Sequence, residues 1–264
     1  MTAPGHSDYC GCGECAVVQV DATPDVGSFE LADMERESRE AAPPPRETDP
    51  WLERRGLHFC ASEIAPLLVA LGRATPTEIA ALPGYLRDQA SSILRRKAFP
   101  RRASKAGGAA SRGQKAERPV LETWAAGPCP IRAQFVSVTH ADAAPRSWFP
   151  LVDRYCPESA ATPDGWGVDI FGDDVGLEVK TTVEPIGQTP WWWVAQVHQQ
   201  SGAGAYPWSA IVIGEGWAHW QIDRRLPPRA VRVERDEQQI ERIRAACRDG
   251  WARVMEMRAE RNAG

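Results

Sequence analysis

The stretch WGVDIFGDDVGLEVKTT, residues 166–182, leaves this chain least freedom in how it folds. Trp166, Val168 and Ile170 alternate before a GDDVG turn, and Leu177, Val179 and Thr181 alternate after it. A period of two belongs to a pleated strand. Two such runs about a Gly-rich turn predict a hairpin. On its second strand Glu178 and Lys180 share one face while Leu177, Val179 and Thr181 share the other. A carboxylate and an ammonium therefore point the same way from a strand whose opposite face reads as core.

Helical patterns surround this hairpin. FCASEIAPLLVALG predicts a helix entered through Ser62. In TPTEIAALPGYL, Thr75 is the N-cap, Pro76 takes the first helical position and Glu78 follows three residues after the cap, which is the capping-box pattern. A loop through KAGGAASRG leads to a helix from about Gln114 to Trp124 that carries Glu117. Thr189 and Pro190 open a helix through WWWVAQVHQQS to Gly202, and SAIVIGEGWAHWQID reads as two strands about a Gly-Glu-Gly turn. Ile240, Ile243, Cys247, Trp251 and Val254 keep helical spacing within a last helix from about Arg235 to Arg258. The expected fold class is α/β, a central mixed sheet flanked by helices.

Residues 1–48 combine Gly, Pro and acids with few large apolar residues, so they read as a disordered tail before one folded domain over 49–264. No apolar run reaches the roughly 18 residues a membrane-spanning helix needs. MTAPGHSDYCGCGEC lacks the basic and then apolar segments of a secretory signal, which points to the cytoplasm. The tail offers His6, Cys10, Cys12 and Cys15 as potential zinc ligands, but their spacing is not that of a standard finger, so zinc is not expected there. Although the net charge is -4, residues 94–118 hold nine basic residues against the single acid Glu117. A basic patch suited to phosphate therefore survives an acidic total. Trp191, Trp192 and Trp193 offer faces for base stacking, but a helix points them in three directions, so one or two belong to the core.

Asp164 stands at the entrance of the first hairpin strand and can bring a second carboxylate beside Glu178. Two carboxylates that close repel unless a cation lies between them, and hard oxygen ligands suit Mg²⁺ or Mn²⁺. Lys180 could then orient or deprotonate an attacking water.

These residues, TPDG followed by EVK, resemble the motif of the PD-(D/E)XK nucleases. Ordered blocks from Trp51 to about Met257 are most similar to the branch of phage lambda exonuclease and the YqaJ-type viral recombinases. WLERRGLHFCASEIA resembles the segment whose Arg and Ser bind the 5′-phosphate of a DNA end, which implies that role for Arg55 and Ser62. A guanidinium and a helix N-terminus both suit an anion. GQKAE places Glu117 where the family has the helix glutamate of its metal site, and Thr162 stands where it has a Ser or Thr near the end phosphate. The resemblance thus implies Glu117, Asp164, Glu178 and the Val179 carbonyl as ligands for two Mg²⁺ or Mn²⁺ ions. In AQVHQ, Gln196 matches the glutamine that holds the site and its water in place. Where members often carry a second Gln stands His198, which reads as a surface histidine. VERDEQQIERI is similar to the C-terminal helix of the lambda type.

The resemblance implies a 5′ to 3′ exonuclease on double-stranded DNA ends, producing single strands for phage-type recombination. It further implies a single-strand-annealing partner and a ring-shaped homotrimer. The rival readings are an endonuclease of restriction or repair type, a catalytically silent DNA-binding relative, and a metal-stabilised structural protein built on the cysteine tail.

Overall fold

The structure, a computed structural model, describes residues 56–100, 108–141, 150–218 and 225–263, with backbone alone over 108–114. The expected tail with His6, Cys10, Cys12 and Cys15, and also Arg55, lie outside the described residues. Strand β1 (Phe59–Cys60) is followed by helices α1 (Ile64–Ala70), α2 (Pro76–Ala81), α3 (Gly84–Ala98) and α4 (Gly108–Ala126). Strands β2 (Phe135–His140), β3 (Leu151–Asp153), β4 (Cys156–Ala161), β5 (Gly165–Asp169) and β6 (Asp174–Thr181) come next. Helix α5 (Trp191–Gly204), strands β7 (Trp208–Gly214) and β8 (Arg229–Glu234), and helix α6 (Glu237–Ala263) complete the order.

The expected hairpin is β5 and β6, antiparallel, with Gly165 opposite Leu177 and Val168 opposite Asp174. Its turn forms because Asp169 Oδ1 accepts from the N–H of Phe171 at 2.8 Å and of Asp173 at 3.0 Å. Gly172 supplies a φ of +92°, which side chains disfavour. Around the hairpin grows a five-stranded mixed sheet in the order β2-β5-β6-β7-β8. Its single parallel pair, β6 with β7, is joined by the crossover helix α5.

Helix α4 covers one face of this sheet, setting Val120, Leu121 and Trp124 against Val175, Leu177, Val179, Ala210 and Val212. Helix α5 covers the other, where Val197 meets Ile211, Ile213, Val231 and Val233. Strand β6 is thus buried on both faces. Its alternation sends Leu177 and Val179 toward α4 and Glu178 toward α5.

A second, three-stranded sheet, β1-β4-β3, lies on the far side of α5. Gln199 of α5 ties the helix to it, donating to Phe59 O at 2.7 Å and to Ser159 Oγ at 2.9 Å. Phe59, Ile64, Leu67, Ile93, Ile243, Cys247 and Val254 close this half of the molecule from β1, α1, α3 and α6. Nothing in the local pattern announces this sheet, because CPESAA carries Pro and Glu and shows no clean alternation.

The capping box at α2 forms as expected: the Glu78 N–H donates to Thr75 Oγ1 at 3.2 Å and the Thr75 N–H to Glu78 Oε2 at 2.7 Å. Other elements differ. Ser62 lies within a 3-10 turn, Ala61–Glu63, whose N-cap is Cys60, so α1 itself is entered at Glu63. Helix α4 starts at Gly108, and residues 108–113 of the expected loop are helical. After β7, residues 215–218 form a turn, and the strand beside β7 is Arg229–Glu234; positions 219–223 of the expected strand lie outside the described residues. Lys97 of the basic stretch is buried, pairing with Glu63 at 2.9 Å across the turn that bears Ser62. Trp191, Trp192 and Trp193 are each half-buried against apolar clusters, and Trp191 Nε1 donates to Glu78 O at 2.9 Å. Among the described residues no helix is long and apolar enough to cross a membrane.

Candidate active site

Asp164 directly precedes β5, so the hairpin register sets it opposite Glu178. Its N–H donates to Leu177 O at 3.0 Å, its C=O accepts from the Ala141 N–H at 2.8 Å, and its Oδ2 accepts from the Val179 N–H at 2.9 Å. The carboxylate is therefore clamped to the backbone of the strand that bears Glu178. Gly165 lets β2 and α4 pack close beside it: a Cβ there would sit 2.7 Å from Thr139 O and 2.9 Å from Leu121 Cδ2.

Glu178 is 2% exposed. Its Oε1 accepts from Lys180 Nζ and Gln196 Nε2, and its Oε2 accepts from Gln200 Nε2. Lys180 Nζ also donates to Gln196 Oε1 at 2.8 Å, closing a triangle of Glu178, Lys180 and Gln196. Burial first, then the Asp164 charge, raises the Glu178 carboxyl to about 7, against the opposing pull of Lys180. For Lys180, burial works to lower the ammonium, but Glu178, Asp164 and Glu117 together outweigh it and leave it raised. Lys180 is accordingly a cation at neutral pH.

Two apposed carboxylates facing one ammonium leave negative charge in a buried place, and carboxylate oxygens are hard ligands. This donor set fits Mg²⁺ or Mn²⁺. Glu117, half-buried on α4, acts on Lys180 through its charge. It does not complete a ready cage: among the described residues no three His, Cys, Asp or Glu side chains stand together as ligands.

Strands β1 and β4 run parallel with Cys60 beside Ala160, and Ser62, in the 3-10 turn, and Thr162 each follow that pair by two positions along their own segments. Thr162 in turn precedes Asp164 by two residues. Ser62 is exposed and Thr162 half-buried.

No family model and no curated protein sequence matches the chain. Solved structures do. The alkaline exonuclease LHK-Exo from Laribacter hongkongensis, in complex with dAMP, superposes with a TM-score of 0.56 at 17% identity, over 82% of this chain and 98% of that one. A phage-related exonuclease from Haemophilus somnus 129PT gives 0.51 at 11% identity, over 77% and 96%. The chain has the fold of these exonucleases.

Within this exonuclease fold α5 departs from expectation at two positions. His198 is not on the surface: it is 6% exposed, and its Nδ1 is buried without a hydrogen-bond partner. Burial lowers its pKa, with Arg235 acting in the same sense and Asp236 opposing. It lies two residues past Gln196, which on a helix is the opposite face. Gln200, unremarked in the sequence, is the residue that reaches Glu178 alongside Gln196. The available signal was their spacing of four, which puts both amides on one helical face.

Proposed function

We propose that this chain is a divalent-cation-dependent DNA exonuclease of the lambda exonuclease and YqaJ-type branch of the PD-(D/E)XK nucleases, acting from the 5′ ends of double-stranded DNA. The observation that carries this reading is the apposition of Asp164 and Glu178 on paired strands, with Lys180 and Gln196 bonded to each other and to Glu178. The exonucleases that share the fold support the same reaction class.

Asp164, Glu178, the Val179 carbonyl and Glu117 would hold Mg²⁺ or Mn²⁺, with two ions sharing the site. When bound, the cation supplies charge stabilisation for hydrolysis of a phosphodiester. Lys180, kept an ammonium by the carboxylates around it, orients the attacking water and donates toward the phosphate. Gln196 fixes the direction of that ammonium. Ser62, Thr162 and Arg55 receive the terminal 5′-phosphate, which holds the duplex end against the carboxylates. The resemblance adds a single-strand-annealing partner and a homotrimer to this reading, with recombination as its setting.

The test is digestion of linear double-stranded DNA with or without a 5′-phosphate, in Mg²⁺ or EDTA, beside closed-circular DNA and the Lys180→Ala variant. The expected result is Mg²⁺-dependent loss of the linear DNA alone, faster with the phosphate and absent in the variant. Cutting of the circle would replace this reading with an endonuclease, and binding without cleavage would leave a silent relative.

A further inference from the structure

Helix α5 buries four consecutive polar residues, His198, Gln199, Gln200 and Ser201. Three have a visible setting: Gln199 bonds the small sheet, Ser201 Oγ bonds Ser209 Oγ at 2.9 Å, and His198 faces the charges of Arg235 and Asp236. Gln200 is 0% exposed and touches the candidate site through one bond, from Nε2 to Glu178 Oε2. Its own Oε1, like that of Gln199, is buried with no hydrogen-bond partner. A buried acceptor left unpaired is a net cost, so a residue selected for packing alone would be Leu or Met at this position.

The two oxygens of Glu178 are not equivalent. Each carboxylate oxygen has about two lone-pair sites. Oε1 is occupied by Lys180 and Gln196, whereas among the described residues Oε2 accepts from Gln200 alone. The lone pair left for a cation therefore belongs to Oε2, and the donor that fixes the direction of that oxygen is Gln200.

We infer that Gln200 is a positioning residue for the cation, anchoring the Oε2 oxygen through which Glu178 would bind it. This rests on the reading above that Glu178 is a metal ligand. Lys180 and Gln196 hold Oε1 and Gln200 alone holds Oε2, so loss of Gln200 leaves the buried carboxylate anchored through one oxygen only. Donors that orient a ligating carboxylate are worth roughly 10- to 100-fold in metal affinity.

The experiment is Mn²⁺ binding to the full chain, followed by electron paramagnetic resonance in the absence of DNA. Gln200→Met removes the donor at similar length, and Gln200→Asn keeps an amide but withdraws it from the carboxylate. Gln199→Met serves as control, since it breaks bonds from the neighbouring position to the small sheet. Both Gln200 variants should weaken Mn²⁺ binding by about tenfold or more, while the control stays within about twofold. The Mg²⁺ concentration for half-maximal DNA cleavage should rise by the same factor. Parent-like Mn²⁺ affinity in either folded Gln200 variant would overturn the inference. A parent that binds no Mn²⁺ sensitive to Glu178→Gln would instead overturn the metal-site reading on which it rests.

Discussion

Replacing Asp153 by asparagine would show how firmly the small sheet, from which Thr162 emerges, is held to the rest of the molecule. Asp153 ends β3 and is 2% exposed; Arg244 of α6 is 5% exposed and grips it with two bonds, Nε to Oδ2 at 2.7 Å and Nη2 to Oδ1 at 3.0 Å. Removing one partner of a buried ion pair costs about 3–5 kcal/mol, because the remaining charge stays buried without its counter-ion. Two features place the expected loss near the lower end. Arg244 keeps Glu241, bonded through Nη1 at 2.6 Å, and the introduced amide would retain an oxygen able to accept from the Tyr155 N–H that now bonds Asp153 at 2.9 Å. Glu241 is 56% exposed, so it compensates only in part. A loss of about 3 kcal/mol lowers the urea midpoint by about 1.5 M at a slope of roughly 2 kcal/mol per molar. The double variant Asp153→Leu, Arg244→Met removes both charges and should recover to within about 1 kcal/mol of the parent. Urea unfolding followed by circular dichroism measures both. A single variant that loses under about 1 kcal/mol, or a double variant as unstable as the single, would refute the argument that the uncompensated charge sets the cost.

Lys180→Met should lower cleavage of linear DNA by at least about 100-fold at saturating Mg²⁺; a smaller loss would remove Lys180 from the reaction. His198 has a pKa lowered by burial, so the folded chain keeps it neutral while the unfolded chain takes up a proton below its ordinary value of 6.5. Its contribution is present above pH 6.5 and is lost as pH falls below it, and His198→Leu should flatten that fall in stability. An unchanged fall in urea titrations would contradict the assignment. Gly165→Ala meets Thr139 O at 2.7 Å, a backbone atom that cannot rotate aside. It should cost about 1–3 kcal/mol by thermal melting, with DNA cleavage falling as Asp164 is displaced; a parent-like melting curve would show that β2 yields freely.

What the sequence determined by itself was local. The period of two fixed both the hairpin and the common face of Glu178 and Lys180, since alternation depends on the strand alone. The Thr75 and Glu78 box, α5 and α6 were legible for the same reason, their spacing and caps acting within a few residues. The α/β class followed from those elements. Tertiary structure decided what they meet. Phe59 pairs with Ser159 from far along the chain, and β8 takes its place beside β7 from beyond the turn at 215–218. Neither pairing is written in a local pattern, because a strand's partner is chosen by burial of the whole sheet. The same holds for α5. The resemblance singled out Gln196 and left Gln199 and Gln200 unremarked, and a helix packed between two sheets must assign each to one of them. Gln196 and Gln200 fall toward Glu178, while Gln199 falls toward Phe59 and Ser159. Which amide reaches the carboxylate is set by the rotation of α5 about its axis, and that rotation is fixed by Val197 packing on Ile211 and Ile213.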